Sequence, residues 1–343
     1  MVLLLGLVIF AFSVTSVLVV PFINLLYRLK FQRLDQRTRD AFGRRTHIFD
    51  RFHRQKAGTP VGGGLLIIGV VSILYALLFP LLKYLGVNVT SAYTLKEEIN
   101  IVFFSFIAFG LLGLYDDIRK FFGVSRHHYF GLRLRHKFII QLVLALTVAA
   151  LMHINLGINI VNIPFFGVIN LHGWFVPFAA FVIVAFANAV NVTDGLDGLA
   201  TGLLMIALFA FWFLSASILD TVLSVFLALW LGAIISFLYF NVYPARIFLG
   251  DVGALSFGAT LAVVGILLGK VMALLVVGGI FVAEILSSFL QLASKRWRGK
   301  KLFPVAPIHL WLQLYGWEEP KIVMRAWLAT IMLAIFGMWL ALL

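Results

Sequence analysis

Apolar runs of about 17–25 residues recur along the whole chain, and they constrain the fold more than any other feature. A run of that length spans the hydrocarbon core of a bilayer as a helix. Of all residues, 62% are hydrophobic and only 12% are charged, whereas a soluble domain is about half apolar and a quarter charged. The chain lacks the charged helix faces that a soluble bundle requires. The sequence therefore predicts an all-α polytopic membrane protein.

About ten candidate spans follow one another along the sequence. They cover roughly residues 2–27, 62–85, 100–115, 138–154, 173–190, 200–217, 221–240, 253–269, 271–293 and 322–342. The third and eighth are short, which leaves a tilted or partly re-entrant path open for them. Because no internal repeat or low-complexity linker divides the chain, we expect residues 1–343 to form a single integral membrane domain.

The distribution of positive charge predicts how these spans are oriented. Of the 27 Lys and Arg residues, 24 fall in alternate loops or at helix ends on one side; only Lys83, Lys96 and Lys270 fall on the other. The positive-inside rule makes the rich side cytoplasmic, and an even number of spans then places both termini outside the cytoplasm. On that outer side, residues 153–174 alternate apolar and polar residues around a proline and a glycine, which predicts a small hairpin.

Cysteine content and net charge narrow the chemistry. There is no cysteine, so disulfides, thiolate metal sites and thiol nucleophiles are excluded. The net charge of +13 follows from the topology, and it makes the cytoplasmic face attractive to anionic lipid head groups and phosphorylated substrates. We expect no nucleic-acid partner.

The unusual polar clusters all fall on the predicted cytoplasmic side. They are KAGTPVGGG at 56–64, LYDDIRK at 114–120, LRLRHK at 132–137, NAVNVTDGLDGLATG at 188–202, YFNVYPARIFLGDVGALSFG at 239–258 and PVAPIHLWLQLYGWEEPK at 304–321. Loops this far apart in sequence, all polar and all on one face, predict a composite site at the membrane boundary.

Three acids are candidates for its chemistry. Asp116 and Asp117 end an apolar run, and Asp251 lies between Gly250 and Gly253. Among such acids, one can bind a hard cation while another handles a proton. The alternatives are a solvated helix terminus for Asp116 and Asp117 and a helix N-cap for Asp251.

The other candidates are polar residues of the same loops. In a helix, Asn188, Asn191 and Asp194 follow at i, i+3 and i+6, and together with Asp197 they suit a nucleobase or ribose. A tight turn with helix caps is the alternative. The Gly-rich segment that begins at Lys56 is no Walker A loop. Lys56 and Lys137 are candidates for phosphate contacts or for snorkelling at the interface.

Two further groups of titratable residues stand out. His309, in a dense loop, suits a phosphate contact or proton transfer near neutral pH, whereas His127 and His128 have no companion motif. Glu284 stands inside an apolar run, with Ser287, Ser288 and Gln291 at helical spacing. An acid there should face the bundle, and we interpret this set as a structural polar seam.

Together these motifs resemble a known family. NAVNVTDGLDGLA, YFNVYPARIFLGDVGAL and PIHLWLQLYGWEEPK, with KAGTP and the Asp116–Asp117 pair, resemble the phospho-N-acetylmuramoyl-pentapeptide-transferases from about residue 56 onward. DGLDGLA and GDVGAL are typical of the wider polyprenyl-phosphate N-acetylhexosamine-1-phosphate transferase superfamily. GWEEPKIVMRAW indicates the muramoyl-pentapeptide branch.

The resemblance implies a ten-helix, often dimeric enzyme of the bacterial cytoplasmic (inner) membrane, surrounded by membrane lipids, with its active site on the cytoplasmic face. Such enzymes use Mg2+ to join UDP-MurNAc-pentapeptide to undecaprenyl phosphate. The products are UMP and lipid I, an intermediate of peptidoglycan and hence of cell-wall biogenesis, cell shape and cell division.

The resemblance also implies roles for individual residues. Asp251 matches the magnesium ligand, next to Gly250, and Asp116 and Asp117 match an essential acid pair, one member of which is thought to activate the lipid phosphate. Phe248 matches an aromatic residue that stacks on uracil. Gly195 and Asp197 match uridine contacts. The polar residues that match the lining of the same cleft are Asn188, Asn191, Asp194 and Asn241. The residues that match positions near the phosphates and the acid pair are Lys56, Thr59 and Lys137.

Two departures from the family pattern matter. The family has three consecutive histidines after PI, whereas here Leu310 and Trp311 follow His309. The usual TPTMGG is TPVGGG.

The nearest alternative function is a UDP-GlcNAc or UDP-hexose transferase, and a secondary transporter is an alternative of another class. Direct attack by the lipid phosphate and an aspartyl-phosphate intermediate are both open. We favour direct attack, because no nucleophile stands apart from the acids of the metal site.

Overall fold

A computed structural model describes residues 1–32, 48, 50, 52, 56–84, 86–122, 132 and 134–343. Its helices are α1 (Val2–Arg28), α2 (Gly63–Tyr84), α3 (Leu95–Phe122), α4 (Leu134–Leu156), α5 (Phe175–Thr193), α6 (Leu199–Ser217), α7 (Thr221–Asn241), α8 (Gly250–Leu267), α9 (Val271–Val277), α10 (Gly279–Arg298), α11 (Ile308–Leu314) and α12 (Glu319–Leu342). Strands β1 (Ile160–Ile163) and β2 (Gly167–Asn170), with a 3-10 turn at His172–Trp174, separate α4 from α5. His127, His128 and most of the basic segment 28–56 lie outside the described residues.

The spans confirm an all-α polytopic membrane protein. Within the described residues, nine helices are long and apolar enough to cross a bilayer, and the pair α9–α10 makes a tenth candidate. The third span is 28 residues long and so is not short. The eighth is short, with 18 residues, but it is one unbroken helix and not re-entrant. The broken span is the ninth, which bends by 78° between α9 and α10.

Helix α10 buries polar residues and exposes apolar ones, which explains why Glu284 stands in an apolar run. Its buried positions are Phe281, Glu284, Ser287, Gln291 and Ser294, which follow one another along one face at helical spacing. The exposed positions of the same helix include Leu286, Phe289 and Leu290. The polar seam therefore faces the protein, as an acid in an apolar span should.

Helices α7 and α8 form the centre of the bundle. Within the most apolar 18 residues of each helix, 89% of the residues are buried in α7 and 94% in α8, compared with 22% in α1 and 28% in α12. Helix α8 packs against α2, α3, α5 and α6. At Gly64 an added methyl group would lie 2.2 Å from the backbone of Gly253. Small residues at such crossings let helix backbones approach closely.

The hairpin lies at one end of the bundle and the polar loops lie at the other. Strands β1 and β2 pair antiparallel, with Val161 opposite Ile169, which confirms the predicted hairpin. The Phe165 ring lies 6.4 Å from the Trp339 ring near the end of α12. Twenty residues of helix, about 30 Å, separate Trp339 from Glu319 at the start of α12. The polar loops meet around that start, at what we call the polar end.

Candidate active site

Three carboxylates and two ammonium groups meet at the polar end. Asp116 and Asp117 lie near the end of α3, Lys137 lies at the start of α4, and Asp251 lies at the start of α8. The Lys137 ammonium contacts Asp116 at 3.0 Å and also contacts Asp251 directly. Asp116 and Asp117 are buried, at 2% and 1% exposure, which excludes a solvated helix terminus. Because α8 begins at Gly250 without a side-chain cap, Asp251 is not an N-cap.

Lys120 is the residue of this cluster that the sequence analysis did not single out. Its ammonium lies 2.8 Å from Asp251, 3.1 Å from Asp116 and 3.4 Å from Asp117. The signal was present in the sequence, because Lys120 stands four and three residues after the two acids and so shares their helix face.

The two adjacent acids have different environments. Asp116 accepts a hydrogen bond from the Leu132 backbone N–H at 2.5 Å through one oxygen, and its other oxygen contacts both lysines. Asp117 accepts from the Val252 N–H at 3.1 Å and lines the cleft beside it. Asp117 and Asp251 are therefore the acids of this cluster that face the cleft.

That cleft has a volume of about 200 Å³ and brings distant parts of the chain together. It is lined by Lys56, Thr59, Val61, Asp117, Lys120, Phe121, Asp194, Gly195, Leu196, Asp197, Phe248, Gly250 and Asp251. A neighbouring cleft of about 510 Å³ shares Lys56, Thr59, Asp197 and Phe248 with it. Together they offer a continuous surface on which acids, lysines and aromatic residues all occur.

The Gly-rich segment at the start of α2 braces Phe248. The Phe248 N–H donates to Pro60 O at 2.9 Å, and the Phe248 carbonyl accepts from Gly62 at 3.1 Å and from Gly63 at 2.9 Å. Gly250 follows with φ +78, a conformation that glycine adopts at no steric cost. A methyl group there would lie 2.8 Å from an Asp117 oxygen. These contacts fix the aromatic ring beside the acids.

A second ionic cluster lies on the other side of the first cleft. The Lys56 ammonium lies 2.7 Å from Asp197 and 2.5 Å from Glu319, and 6.0 Å from the centroid of the Phe248 ring. Sequence reasoning assigned no role to Glu319, because its partner lies 263 residues away and no local spacing predicts such a pair.

The asparagine residues lie at three different places. Asn188 donates to Gln141 on α4 at 2.7 Å and to the Val184 carbonyl. Asn241 is buried, donates to the Ile247 carbonyl at 2.8 Å and accepts from Thr201. Neither they nor Asn191 line the first cleft. Asn241 instead holds the loop that carries Phe248.

The loop between α5 and α6 is both a tight turn and a wall of the cleft. Helix α5 ends at Thr193, and α6 begins at Leu199 after Gly198 with φ 75. Burial, and then the charges of Asp251 and Asp117, raise the pKa of Asp194 in this loop to about 7. A substantial share of Asp194 therefore carries a proton at neutral pH.

His309 lies behind this loop. Its backbone N–H donates to Glu284 at 3.1 Å, and its Nδ1 lies 3.1 Å from the same carboxylate. A methyl group added to Gly195 would meet His309 Nε2 at 2.5 Å. The imidazole is thus fixed by α10 on one side and presses against the cleft wall on the other.

The donor set suits a hard divalent cation. Among the described residues, no group of three or more His, Asp or Glu side chains is arranged so that it could hold a metal ion by itself. Mg2+ does not need such a group, because it is usually held by one or two carboxylates together with substrate phosphates and water. Asp251 and Asp117 face the cleft and are oxygen donors of the right kind. The residues therefore fit the ion.

The chain is similar to a protein family and to several named proteins. Residues 99–269 match the family described as glycosyl transferase family 4. A phospho-N-acetylmuramoyl-pentapeptide-transferase of Thermodesulfovibrio yellowstonii is 37% identical over 349 residues, which cover 96% of this chain and 90% of the relative. The protein of that name from Caldanaerobacter subterraneus subsp. tengcongensis is 36% identical, with 90% of each chain covered.

A relative from Staphylococcus aureus extends the comparison to nearly full length. The phospho-N-acetylmuramoyl-pentapeptide-transferase of Staphylococcus aureus is 35% identical to this chain, over 96% of this chain and 97% of its own. This identity extends over almost the whole of both proteins. The chain therefore belongs to the phospho-N-acetylmuramoyl-pentapeptide-transferase family.

Proposed function

We propose that this protein transfers phospho-MurNAc-pentapeptide from its UDP donor to undecaprenyl phosphate, yielding lipid I and UMP. The observation that carries the proposal is the meeting of Asp117, Asp251 and Lys120 in one cleft of a chain that is similar to these transferases over most of its length. Both substrates carry phosphates, so their approach requires fixed positive charge close to an acid.

The residues of the cleft divide the work. Lys120 and Lys137 supply positive charge beside the place where the donor diphosphate would lie, and such preorganised charge stabilises a phosphoryl-transfer transition state. An oxygen of the lipid phosphate attacks the sugar-linked phosphorus, and the bond to the UMP oxygen breaks. Asp117 faces the cleft and is placed to accept a proton from the lipid phosphate or to orient it, whereas Asp116 holds the two lysines.

Mg2+ is part of the proposal, held by Asp251 with Asp117 beside it. When bound, it would neutralise charge on the diphosphate and act as a Lewis acid. The experiment is a titration of UMP release against Mg2+ with wild type and Asp251→Asn. We expect wild-type turnover to stop in EDTA and to return with Mg2+, while the variant stays inactive but folded. Full turnover of wild type in EDTA would refute the metal requirement.

We further propose that the polar end faces the cytoplasm of a bacterium, across its inner membrane, and that the enzyme acts as a homodimer. The excess of Lys and Arg in the loops of that end supports the orientation. Both substrates, a nucleotide and a lipid phosphate, would then be reached from the inner leaflet.

A UDP-GlcNAc or UDP-hexose donor is the second candidate, and one observation favours it. Leu310 and Trp311 stand after His309, where the resemblance leads us to expect two further histidines. The purified protein should be assayed for UMP release with undecaprenyl phosphate and each UDP-sugar in turn. We expect release with UDP-MurNAc-pentapeptide; release with UDP-GlcNAc alone would reject the proposed donor.

A further inference from the structure

Two carboxylates of the protein neutralise the charge of Lys56. Its ammonium donates to Glu319 Oε1 at 2.5 Å and to the Gly195 carbonyl at 3.4 Å, and it lies 2.7 Å from Asp197 Oδ1. The Asp197 contact is an ion pair and not a hydrogen bond, because Asp197 Oδ1 accepts no hydrogen bond. In this geometry Lys56 links the α5–α6 loop to the start of α12.

Glu319 is the centre of that organisation. The Oε1 atom that accepts from Lys56 also accepts from the Asp197 backbone N–H, at 2.5 Å. Asp197 in turn accepts from the Ala245 N–H at 2.9 Å. One carboxylate at the start of α12 therefore ties the α5–α6 loop to Lys56 and, through Asp197, to the loop that carries Phe248.

Burial makes the interactions of Glu319 with Lys56 and Asp197 costly to lose. The side chains of Lys56, Asp197 and Glu319 are only 10%, 4% and 9% exposed. Removing Glu319 takes from Lys56 its shorter carboxylate contact, the one that is also a hydrogen bond, and leaves it paired with Asp197 alone. Without Glu319, the Asp197 N–H also loses its acceptor. The loop would then have to rearrange.

We infer that Glu319 is a positioning residue for the nucleotide-sugar donor: it holds Lys56 and the Asp197 amide so that the wall of the donor cleft keeps its shape. The inference rests on the proposed function, because it takes the donor to occupy the cleft lined by Lys56, Asp197 and Phe248. Glu319 does not contact the acids of the other cluster, so its loss should weaken donor binding and leave the chemical step largely intact.

The test compares KM and kcat for Glu319→Ala and Glu319→Gln. The alanine removes both interactions, and we expect the donor KM to rise about tenfold or more, with the undecaprenyl phosphate KM and kcat each within about threefold. The glutamine retains an acceptor for the Asp197 N–H but no charge for Lys56, so it should fall between the alanine and wild type. It also serves if the alanine does not fold.

The matched control is Glu97→Ala. Glu97 likewise lies in the first turn of a spanning helix and accepts a side-chain hydrogen bond, from Asn155 at 2.8 Å, but it belongs to the other end of the bundle. It should leave all three constants unchanged. A fall in kcat with unchanged donor KM, or an equal rise in KM for both substrates, would overturn the inference.

A second measurement separates this inference from the proposed function. If wild type releases no UMP with the donor, the proposed function fails, and amide hydrogen exchange of the 194–198 segment then decides the positioning role. We expect Glu319→Ala to lose protection at Asp197 and Glu97→Ala to retain it. Unchanged exchange in Glu319→Ala would refute the positioning role.

Discussion

The Cα atom of Gly113 lies against the backbone carbonyl of Asp251. A methyl group built on Gly113 would approach that oxygen to 2.1 Å and the Val252 Cα to 2.6 Å. One turn later on the same face of α3, Asp117 accepts a hydrogen bond from the Val252 N–H. The distance between the acid on α3 and the acid on α8 is therefore set by a contact that only glycine permits.

Gly113→Ala should separate the two helices. Forcing a methyl group into a packed crossing costs about 1–3 kcal/mol, and we expect UMP release to fall at least 100-fold because Asp117 and Asp251 move apart. Unfolding temperature and turnover would be measured together. Gly69→Ala is the control, since no heavy atom lies within 4 Å of its added methyl. Normal turnover in Gly113→Ala would contradict this account of the crossing.

Lys120→Gln should impair catalysis. The substitution removes the ammonium that contacts three carboxylates, and loss of one preorganised electrostatic contact typically costs about 10²–10³ in kcat. Its neighbour Arg119 is exposed and packs on the Tyr115 ring, so Arg119→Gln should retain activity. Steady-state UMP release distinguishes the two, and equal activities would argue against a role for Lys120.

Gly195→Ala should affect donor binding through His309. The added methyl would lie 2.5 Å from His309 Nε2, and Glu284 holds the imidazole from behind, so the loop at Gly195 must move into the cleft. We expect the donor KM to rise about tenfold, in line with the loss of one or two good contacts. Gly173→Ala, with open space around its methyl, should match wild type. A donor KM equal to wild type would show that the loop accommodates the methyl.

Asp220, at the hairpin end of the bundle, should make the stability of the protein depend on pH. It caps α7 by accepting from the Leu223 N–H at 3.0 Å, and burial raises its pKa. Because the pKa of Asp220 is higher in the folded than in the unfolded state, its contribution to the free energy of unfolding is fully present below the unfolded pKa of about 4. It is lost as the pH rises through the raised pKa.

Unfolding temperatures between pH 4 and 9 would check this. Asp220→Asn keeps a good cap but has no charge to bury, so its stability should decline less with pH than that of wild type. Asp220→Ala should lose about 1 kcal/mol at low pH through loss of the cap. Identical slopes for wild type and Asp220→Asn would refute the assignment.

Hydropathy predicted the spans well because each span is a local property of about twenty residues. It missed the bend between α9 and α10, because the run 271–293 is continuously apolar; Gly278 and Gly279 were the available signals. It also misjudged the third span, since Glu97 and Glu98 begin α3 and hydropathy excludes charged residues.

Motifs predicted most of the candidate site, because residues such as Asp194, Asp197 and Asp251 stand in unusual local patterns. They did not predict which residues pair. Glu319 and Lys56 meet only when the first and last segments of the bundle pack together, and no spacing encodes that. Motifs can also suggest a ligand contact where the side chain has a structural role. Asn241 has an amide group that could bind a ligand, but it forms hydrogen bonds with Ile247 and Thr201.

The enclosure of α8 has a consequence for how this protein responds to its membrane. A helix surrounded by other helices takes its height from packing and not from the thickness of the lipid. Asp251 stands at the start of such a helix. Bilayers of shorter or longer acyl chains should therefore tilt the outer helices α1 and α12 while leaving this carboxylate at the same depth.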